Sequence, residues 1–502
     1  MNLKAPVSES HNRGSKSGGR LLSFRFLLFI LFVAALVPVA FAGWSELYSG
    51  FLERSAPEIR VVEFPRGIGL TPVSVVLELS DRGAGLDEVV VRTKQRGNSK
   101  EILRQSLGGR AQAKVTVDFP GEKSGLEEGS AEFEVRVFDR SFWNNQTEKV
   151  LPLKIDYRKP RVEVLTTQHN ARHGGSQLVF YKASDPTLIL SGVKVGNETF
   201  LGYPARGIDS SFDDPSVFVA LYAVDIESDI SKVPVRVFAE DEVGNATSVS
   251  FYNKIQNRPR RSYTVNLNEE FLARQVSELA ESNFQKMADA AKAAGESIEY
   301  RAPKQSKERL IEKFQLVNTR LRELNENEIV SLLKAPRFER YWTAPFSRQG
   351  GTIQSGFSDE ITYAFDGKNI GNFTQNAYEI LMSRDASEVY AANDGIVAFA
   401  ENIGVYGNTI AIDHGLGLVS LYAHLDNMSV RRGDAVKVGQ TIGYAGRSGL
   451  SRGLNMLFQL RVHGIPVDPV EWWDKSWFYA HINSKIEEVK QALGIPILRP
   501  VE

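Results

Sequence analysis

The sequence predicts a multidomain, mainly β protein with a helical segment and an N-terminal membrane segment. Short runs of alternating apolar and polar residues, broken by turn residues, extend over two successive stretches, 57–158 and 159–258. A helical period follows over 262–335, and alternating strands with many glycines return over 340–475. Because 502 residues are too many for a single hydrophobic core, these stretches are predicted to be separate domains.

The composition excludes several classes of function. The chain has 60 basic and 61 acidic side chains and a net charge of -1, so nothing indicates a nucleic-acid-binding surface. It has no cysteine, which removes disulfides, cysteine-ligated zinc and thiol catalysis together.

The N-terminal sequence indicates the cellular location of the protein. A basic stretch, 1–20, precedes an apolar segment, 21–42, which we interpret as a transmembrane anchor or a signal segment. The basic stretch is expected to stay in the cytoplasm. The protein is therefore predicted to cross the inner membrane once, with its bulk in the periplasm. The tripeptide at 40–42 fits a signal-cleavage site, whereas Trp44 and Tyr48 suit a retained anchor, so secretion after cleavage is the alternative.

The two β stretches are predicted to be immunoglobulin-like β-sandwich units, the second repeating the first. The strand sequence Arg-Val-Phe occurs at 136–138 and again at 236–238. In both copies an Asp and an Asn follow this strand, namely Asp139 and Asn145 in the first and Asp241 and Asn245 in the second. The run 241–245 resembles the late hairpin of bacterial immunoglobulin-like domains. The alternative is a chance similarity between two β-hairpins.

The stretch 262–335 is predicted to be a helical hairpin that bridges the β units and the C-terminal domain. Asn268 and Ser306 stand where N-caps are expected, each before a stripe of apolar residues. A further helix is predicted in the tail, 476–502, with Asn483 as its cap.

The C-terminal stretch, 340–475, is predicted to be a compact antiparallel β domain. It contains five short motifs in order: Ala391-Ala392-Asn393-Asp394-Gly395, Ile412-Asp413-His414-Gly415, Tyr422-Ala423-His424-Leu425, Gly439-Gln440-Thr441-Ile442-Gly443 and Val467-Asp468-Pro469. This succession resembles the LytM-type M23 peptidase family, whose members are zinc endopeptidases that cut peptide cross-links in bacterial cell walls.

The resemblance also indicates where the zinc site of the family would lie. The family's three ligand positions correspond here to Gln375, Glu379 and Leu457, and its two catalytic histidines correspond to His424 and Asn455. Only His424 matches the family at these positions. A leucine cannot bind a metal, and a glutamine is a poor substitute for an imidazole. We therefore expect no tightly held metal and no acidified water for peptide hydrolysis.

A groove shaped for an extended peptide can persist without the metal, because such binding needs strand edges and pockets. Tyr378, Tyr406 and Asn408 are predicted to line this groove. The helical segment, 262–335, is interpreted as plain scaffold or as a regulatory arm over the groove, since such arms exist in LytM-like proteins.

The resemblance leaves catalysis undecided, and the ligand positions favour an inactive member. The leading hypothesis is an exported, membrane-tethered protein that binds peptidoglycan peptides or regulates a cell-wall hydrolase such as an amidase. The first alternative is an active zinc metalloendopeptidase that uses unusual ligands, Glu379 and His424 among them. The second alternative is an adhesive or scaffolding protein of the cell envelope.

Overall fold

The computed structural model describes residues 53–333, 336–385 and 387–497. The predicted basic stretch and membrane segment, 1–42, lie outside these ranges. The chain divides into two compact units at Arg158, and the described residues are mainly β with few helices. Among them, no helix combines the length and the apolar character needed to span a bilayer.

The first unit, 53–158, contains two antiparallel sheets around one core. Its strands are β1 Glu58–Glu63, β2 Val73–Ser80, β3 Leu86–Gln95, β4 Asn98–Arg110, β5 Gln112–Phe119, β6 Gly129–Asp139 and β7 Gln146–Ile155. The strand orders are β1-β2-β5 and β4-β3-β6-β7. Val75, Leu77 and Leu79 alternate along β2 and all join the core, as the period of a strand requires.

The second unit begins with a seven-stranded sheet of order β15-β14-β11-β12-β13-β10-β8. These strands are β8 Arg161–Val164, β10 Ser176–Ser184, β11 Leu188–Val195, β12 Glu198–Pro204, β13 Val217–Ala223, β14 Val235–Asp241 and β15 Ala246–Ser250. Two short strands, β9 Asn170–Arg172 and β16 Lys254–Gln256, pair in parallel beside it. The first half of β12 pairs with β11 and its end pairs with β13. This strand therefore joins the group β15-β14-β11 to the group β13-β10-β8.

The β-hairpins that suggested a repeat have matching geometry. In the first, Asn145 Nδ2 donates to Asp139 Oδ2 over 2.9 Å, and the Asp139 amide donates to the Asn145 carbonyl over 3.1 Å. In the second, Asn245 Nδ2 donates to Asp241 Oδ2 over 2.8 Å, and the Asp241 amide donates to the Asn245 carbonyl over 3.1 Å. The Asp and Asn of each copy therefore make the same two hydrogen bonds, across turns of different length.

The helical segment starts later than predicted. Residues Ser262–Asn266 form a strand, β17, that pairs in parallel with β19, Glu360–Phe365. The alternating sequence Ser-Tyr-Thr-Val-Asn suits a sheet edge. The α-helices that follow are α1 Glu269–Phe271, α2 Ser277–Ser282, α3 Phe284–Ala293, α4 Lys307–Leu316 and α5 Arg322–Leu332. Single π-helical turns, Leu272–Val276 and Val317–Leu321, join α1 to α2 and α4 to α5.

Two of the three predicted helix caps are confirmed. Asn268 Oδ1 accepts from the Phe271 amide over 2.8 Å, and Ser306 Oγ accepts from the Arg309 amide over 3.1 Å. The cap predicted at Asn483 is wrong, because this residue is helical and lies in a π-turn between two helices. The tail helices are α6 Pro469–Trp473, α7 Lys475–Phe478 and α8 Ser484–Ala492, and Asp474 caps α7 instead.

The C-terminal domain is an antiparallel β structure. A three-stranded sheet of order β17-β19-β20 contains β19 Glu360–Phe365 and β20 Lys368–Thr374. A ten-stranded sheet has the main path β18-β21-β28-β25-β24-β23-β26. Its strands are β18 Thr352–Ser355, β21 Tyr378–Leu381, β22 Glu388–Tyr390, β23 Gly395–Ile403, β24 Gly407–Asp413, β25 Leu418–Met428, β26 Ala435–Val436, β27 Thr441–Ala445, β28 Asn455–Val462 and β29 Ile465–Val467.

Glu471 joins this domain to the seven-stranded sheet inside the second unit. Its Oε2 accepts from the Ser176 amide over 2.9 Å, while Trp472 Nε1 donates to Ser176 Oγ over 3.0 Å. A Cβ at Gly175 would lie 2.4 Å from Glu471 Oε1, so only glycine leaves room for the carboxyl. Glu471 is 2% exposed, and this burial raises its pKa to about 8.

We predict that Glu471 makes the stability of the second unit fall with rising pH. A carboxyl whose pKa is raised by folding stabilises the folded state below its ordinary pKa, and that contribution disappears as the pH rises through about 8. Relative to Glu471→Gln, the wild type should lose roughly 2–4 kcal/mol of unfolding free energy between about pH 4.5 and pH 8, and little more above that. Urea unfolding at a series of pH values, followed by tryptophan fluorescence, measures this difference.

Glu401→Gln, a matched change at an exposed position of the same unit, should show no such pH-dependent difference. A constant difference between wild type and Glu471→Gln across the whole range would contradict a buried neutral carboxyl.

Candidate functional site

The sheet brings the predicted ligand positions together. Glu379 of β21 lies directly opposite Leu457 of β28, and Leu457 lies opposite Ala423 of β25. Residues paired in this way share one face of a sheet, and Asn455 shares it because it stands two residues before Leu457. The next residue of β25, His424, has a φ of 63°, which breaks the alternation of its strand.

Both carboxylate oxygens of Glu379 are engaged by neighbouring side chains. Asn455 Nδ2 donates to Oε1. Ser355 Oγ donates to Oε2 over 3.2 Å, and Arg452 Nη2 donates to the same oxygen, also over 3.2 Å. The Glu379 side chain is only 9% exposed, so the Arg452 guanidinium supplies the positive charge that compensates a buried carboxylate.

Hydrogen bonds extend this network in both directions. Gln375 Nε2 donates to Ser355 Oγ over 3.0 Å, and Ser451 Oγ donates to Asn455 Oδ1 over 2.6 Å. Ser355 therefore links Gln375 to Glu379, Asn455 binds Glu379 directly, and Ser451 extends the network beyond Asn455. Among the described residues, Gln375 Oε1 is a buried atom without a hydrogen-bond partner.

His424 lies beside this network with its side chain buried. Its Nδ1 lies 3.0 Å from the Ser448 carbonyl oxygen. Burial lowers the pKa of His424 below its ordinary value, although the negative charge of Glu379 opposes that shift. The imidazole is therefore neutral near pH 7, which is the form that can accept a proton.

These residues do not fit a zinc ion. Leu457 offers no donor atom, and the carboxylate of Glu379 is already bound by an amide, a hydroxyl and a guanidinium. The Arg452 cation would repel a second cation at this place. Over the described ranges, no group of three histidine or carboxylate ligand atoms gathers around Glu379 and His424. A catalytic zinc needs three protein ligands and an open fourth position.

The residues predicted to line a groove are engaged in contacts inside the protein. Tyr378 is on the opposite face of β21 from Glu379, where it packs on Trp473 with ring centroids 5.1 Å apart. Tyr406 is 1% exposed and donates its hydroxyl to Glu326 of α5. Asn408 is half-buried and donates to the carbonyl oxygens of Leu425 and Asp426, each over 3.1 Å. None of these side chains lines an open groove on the Glu379 face.

The helical segment covers the part of the sheet face that carries Leu457. Leu457, Leu421 and Ala423 belong to one apolar core with residues of the helices. The buried helical members of this core are Leu272, Val276, Ala280, Met287, Phe314, Val317, Leu321 and Ile329. The strand alternation explains this, because Met456 and Phe458, the neighbours of Leu457, join the other core of the unit.

Polar contacts fasten the helices at both ends of the covered face. Gln275 Nε2 donates to the carbonyl oxygens of Arg447 and Gly449 over 2.9 and 2.7 Å. Asn325 Oδ1 accepts from the Val405 amide over 3.0 Å. The loops that precede β24 and β28 are therefore tied to the helical segment.

Glu326 of α5 pairs with Arg461, a fully buried arginine of β28. Arg461 Nη2 donates to Glu326 Oε2 over 2.6 Å, and Asn376 Nδ2 donates to Glu326 Oε1 over 3.1 Å. Burial would raise the pKa of Glu326, but Arg461, Tyr406 and Asn376 lower it below the ordinary value. The pair joins the helix to the strand that carries Asn455 and Leu457.

Sequence reasoning missed Arg452, Ser355 and Glu326. Arg452 had a signal, since it stands in the turn just before Asn455 and is charged. Ser355 and Glu326 have no signal in the sequence, because they lie 24 and 135 residues from their partners Glu379 and Arg461.

Comparison with curated proteins finds relatives that match part of the chain. The DD-carboxypeptidase/endopeptidase Mpg of Neisseria meningitidis is 40% identical over 118 residues, which are 22% of this chain and 27% of Mpg. The murein hydrolase activator EnvC of Escherichia coli is 32% identical over 93 residues, which are 18% of this chain and 22% of EnvC. The chain therefore spans about a quarter of the length of the curated relatives it matches.

Solved structures include a peptidase M23 from Pseudomonas aeruginosa that covers 62% of this chain and 96% of its own, with 14% identity and a TM-score of 0.32. Residues 375–469 match the model of peptidase family M23. The resemblance that the sequence motifs suggested is thus confirmed, and residues 375–469 of this chain are a peptidase M23 domain.

Proposed function

We propose that this protein is a non-catalytic M23 member that regulates a cell-wall hydrolase. Its relatives include a DD-endopeptidase and a murein hydrolase activator, which support a role connected with peptidoglycan. The observation that carries the non-catalytic assignment is the Glu379 carboxylate, which Arg452, Ser355 and Asn455 bind where the family has a metal ligand.

The chemistry of the remaining residues supports this assignment. Peptide hydrolysis by this family uses a metal-bound water whose pKa the ion lowers. Of the two positions that correspond to the family's catalytic histidines, only His424 can exchange a proton, since Asn455 cannot titrate near neutral pH.

Regulation of a hydrolase is favoured over capture of wall peptides. An extended peptide needs an open strand edge or groove, whereas the face around Leu457 packs on the helical segment. A protein partner can instead bind the helices or displace them. The proposed site of action is the periplasmic side of the inner membrane, with the segment 21–42 as the anchor.

We predict that the purified full-length protein holds far less than one equivalent of zinc, because no three donors surround Glu379 in the described part of the chain. The combined changes Gln375→His, Glu379→Asp, Leu457→His and Arg452→Ala should raise the content towards one equivalent, since they supply three ligands and remove the competing cation. Atomic emission after dialysis measures the metal, and circular dichroism checks that the variant is folded.

The matched control keeps Leu457 and carries the other three changes, so it has two ligands and should bind zinc much more weakly. A wild-type protein that holds one equivalent of zinc and cleaves a cross-linked wall peptide would establish the endopeptidase alternative instead.

We predict that Glu326→Ala loosens the helices from the sheet. The change leaves the Arg461 charge buried without its partner, which costs about 3–5 kcal/mol of unfolding free energy. Urea unfolding measures the loss, and hydrogen exchange should show faster exchange in α5 and β28. Glu323→Ala is the matched control on the same helix, because its exposed pair with Arg320 contributes at most about 1 kcal/mol. Equal effects of the two changes would show that the buried Glu326–Arg461 pair does not hold the helices on the sheet.

The proposed regulation is tested with a purified cell-wall amidase and labelled peptidoglycan. The full-length protein should release no label alone and should change amidase release several-fold when added. Glu326→Ala should alter this effect more than Glu323→Ala does, because the helices lie over the M23 face. Release unchanged by the wild type, with both proteins folded, would reject the regulatory function.

A further inference from the structure

Three acidic side chains meet at one end of the first unit. They are Glu53, Asp81 and Asp139, and one carboxylate oxygen of each lies within 4.8 Å of the others. Asp81 and Asp139 are 6% and 1% exposed. Three carboxylates this close repel one another strongly where water is largely excluded.

Backbone amides hold each carboxylate in place. Asp81 Oδ2 accepts from the Gly83 amide over 3.1 Å and from the Gly85 amide over 2.7 Å. Glu53 Oε2 accepts from the Ala84 amide, and Asp139 Oδ1 accepts from the amide and hydroxyl of Ser141 over 3.1 and 2.7 Å. The three oxygens are therefore positioned by the turn after β2 and by the β6–β7 hairpin.

The other oxygen of Asp81 provides a separate observation. Asp81 Oδ1 is buried and, among the described residues, accepts no hydrogen bond. A buried carboxylate oxygen without a hydrogen-bond donor lowers the stability of the folded state, because its hydrogen bonds to water are lost and not replaced. A cation bound among the three carboxylates would both give Asp81 Oδ1 a partner and offset the repulsion between the negative charges.

Gly83 supplies the space for the third carboxylate. A Cβ built at Gly83 would lie 1.6 Å from Glu53 Oε1, which is far inside any permitted contact. The turn sequence Asp-Arg-Gly-Ala-Gly at 81–85 therefore admits the Glu53 side chain only because position 83 is glycine.

We propose that Glu53, Asp81 and Asp139 form a calcium site that fastens the start of the first unit to its sandwich. The ligand set is entirely carboxylate oxygen, which suits a hard divalent cation and not zinc. Calcium fits better than magnesium, because it accepts several carboxylates at once and irregular geometry, whereas magnesium retains its waters. The bound ion ties residue 53 to the 81–85 turn and to the 139–145 hairpin.

Calcium titration of the full-length protein tests the proposal. A cation that binds only the folded unit stabilises it by mass action, so the unfolding transition of the first unit should rise by about 5–10 °C at tenfold excess over the dissociation constant. Scanning calorimetry measures the shift in calcium, in magnesium and in EDTA. Hydrogen exchange should show calcium-dependent protection of the 81–85 amides.

Two variants and one control make the result decisive. Asp81→Asn should abolish the calcium shift, and Glu53→Gln should reduce calcium affinity at least tenfold while leaving the sandwich folded. Asp118→Asn, a matched change at an exposed strand position of the same unit, should keep the full shift. If Asp81→Asn does not fold, Glu53→Gln and the wild-type hydrogen exchange decide.

Three outcomes overturn the proposal. One is no calcium-dependent shift or protection in the wild type up to 10 mM, a concentration that saturates sites of roughly millimolar affinity. Another is an equal shift in wild type and Glu53→Gln, which places any bound ion elsewhere. The third is an equal response to magnesium, which makes the site unselective and not a calcium site.

Discussion

The chemistry of the M23 face depends on one buried carboxylate, that of Glu379. A charged group at this depth must be compensated, and the two means available to a protein are a metal ion or a protein cation. Here Arg452 provides the compensation, and Asn455 and Ser355 satisfy the remaining acceptor sites. Once these bonds are made, the carboxylate has little affinity left for zinc. In the proposed non-catalytic member, these protein groups take the place that a metal ion would otherwise have beside the carboxylate.

The apolar surface around Leu457 is subject to the same constraint, that a buried side chain needs suitable neighbours. A histidine at this position would need a ligand or a hydrogen bond, but a leucine needs only apolar neighbours. The helical segment supplies them, with Val317, Leu321 and Ile329 in the same core. Leu457 therefore adds apolar contact to the core that the sheet shares with the helices. The ion pair between Glu326 and Arg461 also fixes the position of α5 on the sheet, because it joins that helix to β28.

The second unit is held together by contacts that span long stretches of sequence. Its main apolar core contains residues from 178 to 489, so the seven-stranded sheet and the M23 domain share one interior. Glu471 lies within this interior, hydrogen-bonded to the Ser176 amide and facing Gly175. Burial keeps the Glu471 carboxyl neutral, so it needs no cation beside it. Glu379 differs, because the Arg452 guanidinium is bound to it.

The sequence by itself determined the β and helical stretches, the M23 motifs, the caps at Asn268 and Ser306, and the absence of a donor atom at 457. These are local properties, carried by the identity of a side chain or by spacing along a few residues. The tertiary structure decided that Arg452 neutralises Glu379, that Tyr378 lies on the opposite face, that 262–266 is a strand and that the helices cover Leu457. Those facts depend on which distant segments become neighbours and which sheet face each side chain takes, and pairing between strands sets both.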